Sequence, residues 1–331
     1  MKTISITLFL ILSFLFSKNY VFGSKDYREY YINIDSAEYY FSIKNYAKSV
    51  EIYDRTFSKY DGFSAHYLEA IKASILNDKK AIDLFVIGYK KTRGFRNDLI
   101  STLSFLEKED RILNSEKKRI VKLYRKTKPL IKKNRKGGRL IFKLILKDQL
   151  GRNSKKYFSD VDSLNNLELK KAVLEDSNFF NHLQYGFITC SMLDILIFHQ
   201  TYNLWGDYFD LLLDNVKQGK VSRETVLYLL QREVVWNNNL FEINNDSLIF
   251  LSNENNFICD SLSVSFSIFG AFKTYDSKTK RQIIIPLHPN YSSEQIDQLR
   301  TYLLCSPYIL FQKTNKHYFY PTKEEYCEII E

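Results

Sequence analysis

Residues that break helices are scarce in this chain. Its 331 residues include only 11 glycines and 5 prolines, well below the usual shares of about 7% and 5%. Heptad-like apolar spacing, which is typical of packed helices, recurs through most of the sequence. The sequence therefore predicts a mainly α protein. We expect N-terminal helical hairpins followed by a C-terminal helical domain that carries a small β-hairpin.

The N-terminal segment 1–23 has the pattern of a secretory signal peptide. Lys2 precedes an apolar core from Ile4 to Phe16, and the segment ends near Gly23 with residues that a signal peptidase accepts. A retained membrane anchor is the weaker alternative, because this core is shorter than the roughly 20 residues that cross a bilayer. No cysteine precedes Cys190, so a lipoprotein cleavage box is absent. We expect an exported chain, periplasmic or secreted after cleavage near Gly23, with no transmembrane segment in its mature form.

Positive charge is concentrated in one segment. Loss of residues 1–23 removes Lys2 and Lys18 and no acid, so the formal charge falls from +10 to +8. Lys117–Arg139 holds twelve Lys or Arg and no Asp or Glu. In an exported protein this favours an anionic envelope surface, lipid head groups or cell-wall polymers, and we expect no nucleic acid. The simpler alternative, a solvated connector helix without a dedicated ligand, is favoured over both.

Four cysteines, Cys190, Cys259, Cys305 and Cys327, allow three complete pairings. Cys190 lies in an apolar stretch, which predicts a buried thiol. Cys259 could pair with either Cys305 or Cys327, because an exported protein meets oxidising conditions. None of the four has metal-type spacing, and we expect neither a metal nor another cofactor.

Small and aromatic residues recur in residues 24–110 at positions that pack paired helices. They are Ala37, Tyr40, Tyr46, Ser49 and Tyr53 in a first pair, and Tyr67, Ala70, Ala73, Ala81, Leu84 and Phe85 in a second. Small residues let two helices approach closely, and aromatic rings fill the space beside them. The segment resembles a degenerate pair of tetratricopeptide repeats; a generic helical hairpin would carry the same pattern. The resemblance implies a groove that holds a protein or peptide ligand.

The pattern predicts two further segments. Residues 111–139 form a basic helical connector, and the paired glycines of Lys136–Arg139 favour a turn at its end. Residues 140–331 form the second domain, with its first helix at Leu140–Arg152. Ser261–Ile268 alternates serine with apolar residues, as a half-exposed strand does, and could pair with Arg281–Leu287.

Polar residues follow apolar helical runs at several places in this second domain. Asp148, Gln149 and Arg152 end one run, His199 ends another, and Arg232 follows a third. Buried ionisable groups are unfavourable unless they are paired, so their recurrence indicates one pocket or one internal polar network. Asp148 and Arg152 are one helical turn apart and can pair on the surface instead. We expect Asp148 to be the partner of Arg232.

The order of these residues resembles an uncharacterised bacterial helical domain, over about Leu140 to Tyr308. The matching residues are Asp148, Gln149, Arg152, Asp162, Asn165, His199, Gly219, Lys220, Arg232 and Arg300. The sequence departs from that pattern at Gln231, where the family has an aspartate. It also lacks the family's Tyr-Gly-Thr-Gln turn; Phe269–Phe272 is the nearest stretch. The resemblance supplies residues but no reaction.

Two functions remain open from sequence. The first, which we favour, is an exported protein-binding adaptor that uses the helical repeats as its interaction surface. The alternative is a hydrolase-like enzyme. In that enzyme His199 would be the general base, Asp148 would orient it, and Arg152 or Arg232 would hold an anionic substrate. Gln149 and Arg300 would contribute to binding. The chain contains none of the common hydrolase or phosphate-binding motifs.

Overall fold

A computed structural model describes most of the chain between Asp26 and Cys305. The described residues are 26–129, 134–153, 158–176, 178–200, 209–237, 239–244, 247–252, 258–259, 262–263, 273–276, 281–284 and 291–305. The expected signal peptide at 1–23 therefore lies outside them, as does Cys327. Within the described residues the protein is mainly α, which confirms the predicted fold class.

Twelve helices account for most of the described residues. In chain order they are α1 (Arg28–Ser42), α2 (Tyr46–Lys59), α3 (Ser64–Leu76), α4 (Ile82–Lys91), α5 (Arg96–Lys108), α6 (Asn114–Lys126), α7 (Arg135–Asn153), α8 (Phe158–Glu175), α9 (Phe187–Phe198), α10 (Phe209–Lys217), α11 (Arg223–Asn237) and α12 (Ser293–Tyr302). A short 3-10 turn, His182–Gln184, precedes α9. None of the described helices has the combination of length and apolar character needed to cross a membrane.

Helices α1 to α4, here called the N-terminal hairpins, pack as two successive pairs. Helix α1 lies against α2, α3 lies against α4, and α2 joins the two pairs by packing on α3. Ala37 and Ser49 are fully buried, as their small size predicts for closely packed helices. Two expected packing positions are wrong, however. Leu84 is exposed, and Ala81 precedes α4 in a left-handed conformation with φ 63°. The kinship with tetratricopeptide repeats stays a prediction.

The C-terminal half is built around α7, α9 and α11. Helix α7 packs against α8 and α9, and α11 packs against α9 and α10. The core here includes Leu144 of α7 and Leu193 of α9, both fully buried. Packing of these apolar residues places the C-terminal end of α7 beside His199, the residue that follows α9.

The predicted turn at Lys136–Arg139 is wrong, because α7 begins at Arg135 and includes both glycines. Asn134 stabilises the helix start: its side-chain Oδ1 accepts the Gly137 N–H at 2.9 Å. Gly137 is also required by packing, since a Cβ there would lie 2.5 Å from the Tyr185 hydroxyl. Gly137 therefore allows close approach of another segment and does not break the helix. The proposed boundary at 139/140 falls within a helix.

Six short strands follow α11 and form three antiparallel pairs. These are β1 (Asn239–Asn244) with β2 (Ser247–Ser252), β3 (Ile258–Cys259) with β4 (Leu262–Ser263), and β5 (Lys273–Asp276) with β6 (Arg281–Ile284). Most of Ser261–Ile268 lies outside the described residues. Its pairing with Arg281–Leu287 therefore stays a prediction.

The cysteines differ from expectation. Cys305 is a free, buried thiol, so the disulfide with Cys259 that was one of two alternatives is not formed. The other alternative involves Cys327 and lies outside the described residues. Cys190 is also a free thiol and is partly rather than fully buried. Burial raises the pKa of both thiols, which keeps them protonated.

The N-terminal hairpins contact the C-terminal half directly. The Tyr27 N–H donates to the Lys217 carbonyl at 3.0 Å. The Tyr27 ring occupies the space where a Cβ on Gly219 would lie, and Gly219 has φ 68°, so only glycine suits that position. The Tyr31 hydroxyl donates to the Val221 carbonyl at 3.2 Å and accepts the Arg223 N–H at 3.0 Å. The chain itself therefore covers this face of α1.

Candidate functional site

Four of the polar residues predicted to converge do so, together with Asp162. In this group, the Asp148 cluster, the Asp148 Oδ1 accepts from Arg152 Nε at 3.1 Å and Oδ2 lies 2.7 Å from His199 Nδ1. The Gln149 amide donates to Asp148 Oδ2 at 2.8 Å, and Arg152 Nη2 donates to Asp162 Oδ1 at 2.8 Å. Helix α7 supplies Asp148, Gln149 and Arg152, α8 supplies Asp162, and His199 directly follows α9. These five residues form one polar network at this place in the fold.

The geometry fixes where the protons lie. Burial acts to raise the pKa of Asp148, but hydrogen bonds from His199 and Arg152 outweigh it and hold this pKa below its usual value. The Asp148 carboxylate is therefore ionised, so His199 Nδ1 must carry the proton and donate to it. Arg152 Nε also lies 2.9 Å from His199 Nδ1. A protonated Nδ1 cannot accept that proton, so Arg152 donates to Asp148 instead.

Unsatisfied polar atoms adjoin the cluster on α8. Burial raises the pKa of Asp162, and the nearby charge of Arg152 offsets only part of that effect. Asn165, one turn further on, is 2% exposed, and neither polar atom of its amide has a hydrogen-bond partner in the part of the chain that the structure describes. Buried amides without partners are unfavourable. The region of the cluster therefore includes buried polar groups without partners, which distinguishes it from an ion pair at the protein surface.

Two predicted members are not described beside Asp148. The side chain of Arg232, like that of Gln231, lies outside the described part of the structure, so its pairing with Asp148 stays a prediction. Arg300 is buried on α12, where its electrostatic neighbours include Cys305, Asp35 and Arg223. This places Arg300 near a second polar group instead.

That second group, the Arg223 network, joins the N-terminal hairpins to the C-terminal half. The Arg223 guanidinium donates to both carboxylate oxygens of Asp35, at 2.7 and 3.1 Å, and to the Leu304 carbonyl at 2.9 Å. It lies 4.7 Å from the centre of the Tyr31 ring and also contacts Glu224. A bidentate pair between buried side chains is a strong geometric constraint. Residues 188 positions apart are therefore fixed against each other.

Two glutamates near this network differ in protonation. Burial and the negative charge of Asp35 raise the pKa of Glu38 to about 8, although Arg223 acts in the opposite direction. Glu224 differs, because its side chain is about half exposed and the positive charge of Arg223 lowers its pKa to about 2. Glu38 is therefore protonated at neutral pH while Glu224 is ionised.

A cavity of about 310 Å³ lies next to this network, between α9 and α11 and the start of α3. We call it the junction cavity. Its described lining residues are Phe63, Ser64, Ala65, Thr92, His182, Leu183, Gly186, Cys190, Ser191, Asp194, Phe198, Ser222, Glu224, Thr225 and Tyr228. Most of the lining surface is apolar, although about half of the lining residues have polar side chains. Such a combination is typical of small-ligand sites.

Asp194 is the central polar residue of the junction cavity. Its Oδ1 accepts from the Thr225 hydroxyl at 3.1 Å and lies 3.6 Å from His182 Nε2. Burial raises the pKa of Asp194 and lowers that of His182, so the histidine is neutral near pH 7. The Cys190 thiol donates to the His182 carbonyl at 3.2 Å. Asp194 thus lies in the wall of a cavity beside a histidine that carries no full charge.

Sequence reasoning missed the junction cavity, although a signal was present. Asp194 is the single charged residue in the apolar stretch Tyr185–Phe198. Gly186, Cys190, Asp194 and Phe198 are spaced by four and so share one helical face. Thr225, the hydrogen-bond partner of Asp194, lies 31 positions along the chain, and local sequence patterns do not predict a contact at that separation.

Comparisons with protein-family models, with curated proteins and with solved structures found no match. The resemblance to an uncharacterised bacterial helical domain consequently stays a prediction. In the described part of the chain, no three His, Cys, Asp or Glu side chains are arranged to hold a metal ion. The function must therefore be argued from the two polar groups and the junction cavity.

Proposed function

We propose that this chain is an exported binding protein whose ligand enters the junction cavity. The observation that carries the proposal is the cavity of about 310 Å³ between the N-terminal hairpins and helices α9 and α11. Its size lies at the lower end of the range for small-ligand pockets, which is roughly 300–1,000 Å³. Export is supported by the pattern of residues 1–23.

The lining supports binding rather than catalysis. Cys190, a potential nucleophile in the wall, has a raised pKa and donates its hydrogen to a backbone carbonyl. A thiol must ionise to react efficiently. The Nε2 atom of His182 is the ring atom nearest the Asp194 carboxylate, and the Cys190 thiol donates to the His182 backbone carbonyl and not to the ring. These residues therefore suit ligand recognition and include no activated nucleophile.

The covered face of α1 is the reason for placing the ligand in the cavity. Tyr31 and Asp35 on that helix already hold Val221 and Arg223 of the same chain. An adaptor of the kind expected from the repeats would need a different face of the hairpins for its protein or peptide ligand. The cavity is available without displacing these contacts.

The test fills the cavity and measures binding of a neutral aromatic probe, 2-phenylethanol, by NMR chemical-shift titration. Ala65 lines the cavity, is exposed and is the second residue of α3, so Ala65→Trp should obstruct the entrance without disturbing the core. We expect wild-type protein to bind the probe, with shifts at residues of the cavity wall, and Ala65→Trp to lose that binding.

A matched control is Ala47→Trp. Ala47 is likewise exposed and is the second residue of its helix, α2, but it does not line the cavity. This variant should bind as wild type does. Equal binding by the wild type and Ala65→Trp, or shifts confined to another region, would refute the proposal.

The hydrolase-like alternative is favoured by one observation, the 2.7 Å contact between Asp148 and His199. That contact would orient the ring and leave Nε2 as the base, while Arg152 could hold an anion. Against it, no Ser, Thr or Cys is among the partners that the described residues give to Asp148 or His199. Comparing wild type with His199→Gln on a panel of phosphate and carboxylate esters tests it. Identical rates would remove its support.

Contact with an anionic envelope surface remains a separate proposal for Lys117–Arg139. Lys118, Lys122 and Arg125 are exposed at intervals of four and three on α6, so they share one face. Two other charges in the segment are paired within the protein: Lys117 binds Glu107 at 2.7 Å and Arg119 binds Asp83 at 2.7 Å. The exposed face of α6 is one part of the segment that supports such a contact.

A further inference from the structure

We propose that the junction cavity selects a small organic ammonium ion with an aromatic or apolar body. This inference rests on the proposed function, because it names the chemical class of the ligand that the cavity would take. The Asp194 carboxylate in its wall, an aromatic pair beside it, and the absence of Lys and Arg from its described lining carry the argument.

The charge of the wall favours a cation. Asp194 and Glu224 both line the cavity, while no Lys or Arg is among its described lining residues. This is unusual in a chain with a formal charge of +10. The partners described for Asp194 are a hydroxyl and an imidazole, so its negative charge has no full positive charge beside it. A carboxylate in an apolar wall is stabilised when a cation binds.

Aromatic rings complete the recognition site. Phe198 and Tyr228 stack in a tilted arrangement with ring centres 4.5 Å apart, and both line the cavity. Phe63 contributes a third ring from the start of α3. Rings of this kind attract ammonium groups through cation–π interaction and cover the apolar part of a ligand. Asp194 and Phe198 are four apart on α9, so carboxylate and ring project from one face.

One feature of the wall acts in the other direction. Helices α3, α9 and α11 begin at or near the cavity, and helix N-termini favour anions. Each terminus is equivalent to only about half a charge and acts over about one turn. In α11 the first turn already contains the Glu224 carboxylate, which offsets that terminus. Because Glu224 is paired with Arg223, the charge in the wall that favours a cation over the helix dipoles is that of Asp194, whose described partners are a hydroxyl and an imidazole.

Three probes of similar shape separate the possibilities. They are 2-phenylethylamine as the cation, 2-phenylethanol as the neutral analogue and 3-phenylpropionate as the anion. Isothermal titration near neutral pH should give at least roughly tenfold tighter binding of the amine than of the alcohol, and still weaker binding of the carboxylate. This comparison needs only the wild-type protein, so it does not depend on whether a variant folds.

The variant Asp194→Asn keeps the size of the side chain and removes its charge. We expect it to lose most of the preference for the amine while it still binds the alcohol. Asp54→Asn is the matched control, because Asp54 is an exposed helical aspartate outside the cavity lining. The control should bind all three probes as wild type does.

Each other outcome has a distinct meaning. Equal binding of amine and alcohol, or an unchanged preference in Asp194→Asn, would refute the ammonium inference and leave the cavity as a binding site. Tightest binding of the carboxylate would also refute it and would assign control to the helix termini. Binding of none of the three would refute both this inference and the proposed function.

Discussion

The Asp148 cluster and the Arg223 network are both built on an Arg–Asp pair, yet their surroundings differ. In the Asp148 cluster the carboxylate is 1% exposed, whereas Arg152 and His199 are each 28% exposed. In the Arg223 network the arginine is 8% and Asp35 is 12% exposed. One pair lies within a single helix, and the other joins segments 188 residues apart. Local pairing near water and long-range pairing in the interior thus coexist in one chain.

This difference predicts unequal contributions to stability. When Asp148 is removed, water can solvate the remaining Arg152 and His199, which are partly exposed. When both partners are buried, removal of one leaves an unpaired charge that water cannot reach, at a cost of about 3–5 kcal/mol. The Arg223 network should therefore be the more sensitive of the two groups, and it should control how the hairpins are held against the C-terminal half.

The largest effect is expected for Arg223→Met. Methionine preserves much of the side-chain volume but leaves Asp35 buried without its cation, so the free energy of unfolding should fall by about 3–5 kcal/mol. Equilibrium denaturation in urea, followed by circular dichroism, measures this change. A loss below about 1 kcal/mol would show that Asp35 is solvated or paired by another route.

An exposed pair supplies the control for this prediction. Arg119 binds Asp83 at 2.7 Å, and the two side chains are 48% and 55% exposed. Arg119→Met should change the free energy of unfolding by no more than about 1 kcal/mol. Similar losses for the two variants would mean that removal of an arginine, and not burial of its partner, determines the effect.

An intermediate effect is expected for Asp148→Asn. The asparagine keeps one acceptor, and Arg152 retains Asp162, so the loss should be about 1–3 kcal/mol. Since the pKa of Asp148 is lowered in the folded protein, its stabilisation is complete above the usual pKa of an aspartate and is lost as pH falls through the folded value. Urea denaturation at several acidic pH values should therefore show the difference between variant and wild type shrinking. A difference independent of pH would contradict this origin.

The two regions also differ in how far sequence could predict them. Asp148 and Arg152 are one helical turn apart, and an apolar run ends at His199. Periodicity alone therefore predicted that these three residues belong to one polar network. Asp162 entered through the resemblance to a bacterial helical domain, and the structure pairs it with Arg152. Local spacing contains this kind of information.

The Arg223 network and the junction cavity could not be derived in the same way. Arg223 meets Asp35 only because α11 lies against the N-terminal hairpins, and sequence spacing does not encode that contact. The paired glycines predicted a turn wrongly for a related reason: Gly137 is needed for the close approach of Tyr185, a residue about fifty positions away. The helices were predictable from local pattern, whereas the packing of distant helices was not.

The smallest effect, a change of pH dependence, is expected for Glu38→Gln and sharpens the same comparison. Burial and Asp35 raise the pKa of Glu38 from 4.5 to about 8 in the folded protein, so the folded state binds a proton that the unfolded state has released across this range. Stability from Glu38 is therefore complete at low pH and is lost as pH rises through about 8, which is opposite to the behaviour of Asp148. Glutamine cannot ionise, so the variant should gain stability relative to wild type as pH rises from about 5 to 9. Urea denaturation across that range measures the difference in the free energy of unfolding. Ionisation of His66 affects both proteins equally and does not change that difference. A constant difference would show that Glu38 is solvated in the folded protein and that the interior of the Arg223 network does not suppress its charge.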